Sequence, residues 1–402
     1  MNELHIRRMT PDDIEQYNDL FRYAFQVTEK TLQDYGWDDE EIRRSKFPVL
    51  EKANVLGWFD GDRLASQFAV LPMRMNIHGA ICPIGFITSV ATYPEYSGLG
   101  LMSGLMRRSL EEMRAAGRSF SLLYPYSIPL YRHRGWEIVS DKMSFFVKDS
   151  QLPKKLEAPG NVRRVEYNHP DLLSLHDRFA RRRHGCILRN DLAWEEYWRW
   201  DVDDVTTAIY YDGRNDPTGY MVYTIREDVM HVKEIIYLDM EAWSGLWRFI
   251  AAHESMVDAV RGDNYSSEPI AFWLEDSDIK ETIRPYVMGR IVDVERFVGG
   301  YGFVSIKRDE CLSFRVSDPF LDWNNVGFSV CFSRSGGVEI TPGADGGGRA
   351  VDVDIGTLTA ILLGYKPPSY LNRLGRLDLD ADTLSLLENV VPNQRPYISD
   401  YI

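Results

Sequence analysis

Between residues 81 and 116 the chain runs strand, Tyr93-Pro94-Glu95-Tyr96, Ser97-Gly98-Leu99-Gly100, helix. No other segment narrows the possible folds as much. Residues 81–92 read as a strand, and residues 101–116 place Leu101, Leu105, Met106 and Met113 at helical spacing. Glycines directly before a helix leave backbone N–H groups unobstructed at the end where the helix dipole favours an anion such as pyrophosphate. On local chemistry alone, a plain glycine turn joining strand to helix remains the alternative. Residues 98–104 also spell Gly-x-Gly-x-x-x-Gly, near a dinucleotide fingerprint. Context argues against that reading. Residues 93–97 separate the strand from the first glycine, and the next strand, 119–124, ends without an acid. The strands upstream are antiparallel hairpins: 54–59 turns at Asp60-Gly61 into 64–75, which is followed by 81–92. A nicotinamide cofactor is therefore disfavoured, and another nucleotide-bearing coenzyme fits better.

At 402 residues the chain exceeds the ~150 that usually fill one domain, so two or three domains are expected. A formal charge of -14 disfavours a generic nucleic-acid or anionic-membrane partner and would attract a cationic substrate. Cys82, Cys186, Cys311 and Cys331 are far apart in sequence with no Cys-x-x-Cys, so each is expected to be a small buried hydrophobe in a reducing cytosol, without a zinc site. No stretch approaches the ~18 uninterrupted apolar residues of a membrane span, and the N-terminus lacks a signal-peptide pattern. A cytoplasmic protein is the expectation.

The first third alternates strand and helix signals: strand 4–8, helix 14–25 capped by Thr10-Pro11-Asp12-Asp13, the hairpins, then the glycine segment. A charged, Pro-containing stretch at 149–160 reads as a linker. Beyond it come a helix at 171–184, strands at 206–211, 220–226 and 230–238, and a long helix at 242–260. That order resembles a second copy of the first unit. From about residue 290 the chain turns to short strands at 314–316, 326–332, 338–341 and 350–353, then helices at 355–363 and 381–390. The fold class is α/β (α+β), with expected domains at 1–150, 151–290 and 291–402.

Residues 89–102, followed at 131–136 by Tyr131-Arg132-His133-Arg134-Gly135-Trp136, resemble the acetyl-CoA loop and later Tyr-x-x-x-Gly-Phe/Trp segment of the GNAT N-acetyltransferases. With the degenerate second unit and the C-terminal α+β module, the whole chain is similar to the enhanced intracellular survival (Eis) family. That resemblance implies two tandem GNAT-type domains followed by a sterol-carrier-protein-like domain. It implies acetyl-CoA as cosubstrate, no metal, and a homo-oligomer, with a hexamer as the family precedent. Val90, Ala91 and Thr92 would pair with the pantetheine arm. Gly98, Leu99, Gly100, Leu101, Met102 and Ser103 would give backbone donors to the pyrophosphate, and Tyr126 and Ser127 would line the far side of the channel. Two positions depart from the wider pattern: Ser97 stands where Arg or Gln is common, and Met102 where Gly or Ala is common.

Acetyl transfer to an amine needs a base for the amine and an acid for the departing thiolate. By the resemblance, Tyr131 is the acid and the C-terminal carboxylate of Ile402 the base. The apolar, aromatic ending Pro396-Tyr397-Ile398-Ser399-Asp400-Tyr401-Ile402 is unlike a frayed tail. In the second unit Trp243 stands where bare backbone is required, so that unit is expected to be non-catalytic. The function expected is acetyl-CoA-dependent N-acetylation of a primary amine in a polycationic small molecule such as an aminoglycoside. The alternatives are a protein lysine or N-terminal acetyltransferase, and a carrier of lipid or another hydrophobic ligand with a vestigial transferase domain.

Overall fold

The computed structural model describes residues 4–34, 36–199, 205–266, 268–343 and 347–401. The first unit carries five strands and, among its helices, the three that bear on the site: β1 (Leu4–Arg8), α1 (Ile14–Phe25), β2 (Asn54–Asp60), β3 (Arg63–Ile77), β4 (Ala80–Thr92), α2 (Leu101–Ala115), β5 (Phe120–Leu123) and α3 (Ile128–Arg132). β3 and β4 form a long hairpin turned at His78 and Gly79, both at positive φ. The strands β1 to β4 pair antiparallel in chain order, and β5 then pairs parallel with β4. The apolar stripe read from the sequence is the face α2 buries: Leu105, Met106 and Met113, joined by Leu110, pack in one cluster with Phe68, Val70 and Ile87, and Leu101 is buried with Ala65 and Tyr96. Each such side chain contributes roughly 2 kcal/mol of burial. Gly85 leaves room for that contact, since a Cβ there would lie 2.5 Å from the Met113 methyl.

The two large sheets exchange strands. After the two-residue β6 (Glu137–Ile138), β7 (Asp141–Lys148) crosses into the second sheet. That sheet is completed by β8 (Asn161–Val165), then, after α4 (Pro170–Arg182) and the short β9 (Ile187–Leu188), by β10 (Thr206–Tyr211), β11 (Pro217–Arg226) and β12 (Val229–Tyr237). The helix α5 (Met240–Ala251) leads to β13 (Ala259–Asn264) and β14 (Lys280–Pro285), and the order is β14-β7-β13-β12-β11-β10-β8. In return β15 (Met288–Ile291) enters the first sheet between β5 and β6, and β9 pairs with β3. Each sheet therefore depends on chain from the other unit.

The expected helix at 242–260 stops at Ala251, and residues 259–264 form a strand instead. Val257 to Val260 is too short an apolar run to distinguish helix from strand by period, and pairing with β12 and β7 decides it. β14 and β15 carry no period-2 signal that would mark them as strands.

The third unit is a sheet of order β18-β17-β16-β19, made of β16 (Glu310–Ser317), β17 (Gly327–Phe332), β18 (Val338–Pro342) and β19 (Arg349–Asp354). The buried α6 (Ile355–Leu362) follows. Cys311 and Cys331 face each other across β16 and β17 and form a disulfide, so the expectation of four isolated cysteines fails for this pair. Strand register, which spacing cannot show, joins them. Cys82 and Cys186 are free. The buried Arg290 of β15 pairs with Asp318 and ties this unit to the first. Among the described residues, no helix is long and apolar enough to cross a membrane.

Candidate active site

The site begins with a bulge. Thr88 pairs with Ala69 and Ala91 with Gln67, so Ser89 and Val90 together oppose the single residue Phe68, and Ser89 takes φ 54. A bulge raises the local twist and ends pairing. Pairing between β4 and β5 stops at Ile87 and Leu123. Among the described residues, Val90, Ala91 and Thr92 therefore continue along β3 with no strand on their other side. This is an open edge for an extended, amide-bearing chain.

Beyond that edge the backbone turns through Gly98 (φ 81) and Gly100 (φ 75) into α2. Left-handed backbone suits glycine, and a Cβ at either position would meet nothing within 4 Å, so the cradle is open. Gly100 is the N-cap and no side chain caps the first turn. Leu101, Met102 and Ser103 start the helix there, and Leu99 is half exposed. The loop is anchored from behind: the indole Nε1 of Trp58 donates to the Leu101 carbonyl at 2.9 Å, and the Tyr96 hydroxyl donates to Asp60 at 3.2 Å.

Tyr131 lies in α3, buried in the cluster that holds Leu105 and Met106 and that Val90 and Met102 pack against. Strand edge, helix start and tyrosine thus meet at one end of the first sheet. Burial pushes the Tyr131 phenol up to about 12, opposed by Arg134. Arg134 is a residue the sequence reading passed over. It donates to Ser103 Oγ at 2.8 Å and to the Leu130 carbonyl at 2.8 Å, bracing α3 against the first turn of α2 and setting a cation beside it. Its spacing, one turn after Tyr131, was the available signal. Arg107 and Arg108 point elsewhere, over Phe320 and to Glu112. Ser127 is half-buried at the start of α3, whereas Tyr126 is 97% exposed and stands in solvent.

Ile402 lies outside the described residues. The tail leading to it is not frayed: residues 396–400 are buried and Tyr401 packs edge-to-face on Tyr124 at 4.9 Å, just past the end of β5. Arg189, fully buried, donates to Asp400 at 2.6 Å and to both oxygens of Glu234 at 3.1 and 2.7 Å. Ser399 Oγ, the Tyr220 hydroxyl and the Tyr197 hydroxyl also donate to Glu234. The guanidinium leads the causes that hold the Glu234 carboxyl down to about 2 against its burial, whereas burial raises Asp400 despite the same partner. The Tyr286 hydroxyl reaches the carbonyls of Ser399 and Asp400 at 3.4 and 3.3 Å. Sequence carried no signal for this lock, whose partners are 45 and 211 residues apart.

Beside the tail is a cavity of about 390 Å³ walled by Tyr124, Tyr197, Tyr265, Tyr286 and Tyr401. The acids around it are matched by cations among the described residues: Glu196 by Lys46 and Arg199, Asp263 by Lys142, and Glu234 and Asp400 by Arg189. The overall charge of -14 is therefore not concentrated among these residues.

Comparison with known proteins agrees with this geometry. Residues 5–139 and 185–291 each match an acetyltransferase (GNAT) domain family, and residues 294–399 match the sterol carrier protein domain. An N-acetyltransferase from Streptomyces avermitilis is 22% identical over 67% of this chain and 70% of its own length. A probable N-acyltransferase from Enterococcus faecalis V583 superposes over 100% of both chains with TM-score 0.89 at 25% identity. Eis1 from Mycobacterium abscessus superposes over 100% of both chains with TM-score 0.82 at 17% identity, a likeness of fold. GNAT domains generally use acetyl-CoA, and the open cradle and unpaired edge fit it. The chain is accordingly an acetyl-transferring enzyme of Eis-like architecture, two GNAT acetyltransferase domains followed by a sterol carrier protein domain.

Proposed function

We propose that the protein transfers acetyl from acetyl-CoA to a primary amine by direct attack, at the open end of the first sheet. One observation carries this reading: an unpaired strand edge, an uncapped glycine helix start and a buried tyrosine meet there. The coenzyme supplies an acetyl group activated as a thioester. The chain does the rest. Val90 to Thr92 offer backbone N–H and C=O groups to the pantetheine arm, and the first turn of α2 holds the pyrophosphate, with Arg134 close by. Tyr131 donates a proton to the departing thiolate. Its raised pKa keeps the phenol protonated at working pH, and the same desolvation raises a thiolate in that pocket, which keeps the transfer near balance.

The base in this proposal is the backbone carboxylate at residue 402, one residue beyond the Tyr124–Tyr401 contact. A terminal carboxyl ordinarily titrates at about 3.5, and acts as an effective base only where desolvation raises that value. Arg189 acts as a positioning residue: it holds Asp400 and so anchors the tail at that residue.

An aminoglycoside is the first acceptor class to test, by family resemblance. A second is favoured by the tyrosine walls and matched charges of the cavity: a primary amine on a flat apolar body, such as an arylalkylamine. Thiol released from acetyl-CoA is followed on adding each amine. Amine-dependent release supports the reading, and release that ignores every primary amine tried refutes it. The proposal includes a homo-oligomer, which light scattering of the purified chain would test.

A further inference from the structure

The second domain keeps the backbone device of the first. Val222 pairs with Glu234 and Tyr223 with Val232, so Lys233 is an extra residue in β12. Pairing of β12 with β13 ends at Val232 and Gly262, and the two strands then part, as β4 and β5 do. The space beyond is a cleft of about 640 Å³, a size typical of small-ligand sites. It does not suit a nucleotide. The helix that follows, α5, is capped by its own acid, Asp239, which accepts from the Ala242 N–H at 2.8 Å. That carboxylate occupies the anion position, and Trp243 fills the first turn.

The lining instead favours an apolar body. Tyr237, Trp243 and Trp273 meet in series, the first pair tilted and the second edge-to-face, with ring centroids 4.7 and 5.3 Å apart. Phe272 and Met240 on the same cleft are 95% and 54% exposed, apolar surface that an occupant would cover. A second, polar cavity of about 440 Å³ shares Arg182, Arg183, Ser266 and Glu268 with the cleft and adds Arg395. Arg182, Arg183 and Arg395 form no ion pair among the described residues, whereas the neighbouring Arg181 is paired with Asp177. Three arginines face one acid, Glu268, in a chain of charge -14.

We infer that the second GNAT domain binds an amphipathic anion, its apolar body in the aromatic cleft and its carboxylate or phosphate head among Arg182, Arg183 and Arg395. The volume suits a chain of roughly a dozen carbons. Tyr397 lines the cleft and lies in the tail that continues to Ser399 and Asp400, so an occupant would touch the segment that reaches the first domain's site.

The test is calorimetric titration of the full-length protein, below the micelle threshold, with dodecanoate, methyl dodecanoate and a twelve-carbon lysophosphatidate. Either anion should bind one per chain, about tenfold or more tighter than the ester, and the tighter of the two identifies the head group. The double variant of the half-buried Arg183 and the exposed Arg395, Arg183→Ala/Arg395→Ala, should lose about tenfold for the anions and little for the ester, and Phe272→Ser should weaken all three. No binding of either anion, equal affinity for acid and ester, or anion affinity unchanged in the arginine variant would overturn the inference. Competition by coenzyme A would likewise defeat it, by placing the amphiphile in the first domain. Acetyl transfer is assayed separately, so the two readings fail independently.

Discussion

In the first domain the helix after the bulged strand starts at Gly100, with no side chain on its first-turn N–H groups; in the second it starts at Asp239, whose carboxylate takes one of them. The bulge, the parted strands and the following helix are present in both. Residue chemistry at a helix start thus separates an open glycine turn from a capped one, with the surrounding backbone kept. A tyrosine on a short helix stands over the first opening, while tryptophans wall the second.

The largest expected effect tests whether chemistry belongs to the first domain alone. Tyr131→Phe should lower kcat by about 100-fold or more with acetyl-CoA affinity held within about twofold, measured by thiol release and calorimetry. Trp243→Phe should leave the same rate unchanged. Turnover surviving in Tyr131→Phe would remove the proposed acid. An extension of two residues past Ile402 should abolish turnover in the same assay, and an undiminished rate would eliminate the terminal base.

Next comes transplantation of the second domain's cap. Gly100→Asp puts a carboxylate and a strained φ where the pyrophosphate is proposed to bind. Acetyl-CoA affinity should fall by about 30-fold or more, with Arg134→Ala giving a smaller loss of about tenfold. Unchanged affinity in Gly100→Asp would show that the helix start is not the anion site.

The joint between the domains should matter to stability as well. Arg189→Met leaves Glu234 and Asp400 buried without their cation and should cost about 3 kcal/mol or more, read by urea unfolding together with lost turnover. His184 lies at the same joint, facing His78 and Arg183, with its pKa lowered to about 3 mainly by burial and next by His78. Its folded pKa is below the unfolded 6.5, so the unfolded chain takes the proton first. That stability is complete above pH 6.5 and falls as pH drops towards 3, by about 1.4 kcal/mol per unit for this group. Urea midpoints at pH 7.5 and 5.0 should show the fall, with a shallower one in His184→Asn.

The smallest effect sharpens the contrast from the other side. Asp239→Ala removes only a helix cap, costing about 1 kcal/mol, and should leave acetyl transfer unchanged. A lower transfer rate in this variant would mean that the second domain shares in the chemistry.

What was readable in the sequence was local. The antiparallel run, the glycine helix start and Tyr131 all lie within residues 54–136, where turn residues and hydrophobic period report directly on backbone. The long helix expected at 242–260 stops at Ala251 because β7 and β12 pair with residues 259–264 and 259–262. Arg134 was within reach, one turn past the tyrosine. Arg189, Glu234 and Asp400 were not, since nothing in their neighbourhoods marks them as partners.

By itself the sequence determined three units, the class of chemistry and the glycine start of one helix, because glycine, proline and apolar spacing act over a few bonds. Only the tertiary structure decided which strands the sheets exchange, that Cys311 meets Cys331, and that residues 396–400 are buried beside the first domain's site. It also kept two like openings with unlike linings. Those outcomes depend on pairings across tens to hundreds of residues, where register and buried charge are settled by the whole fold and leave no local pattern.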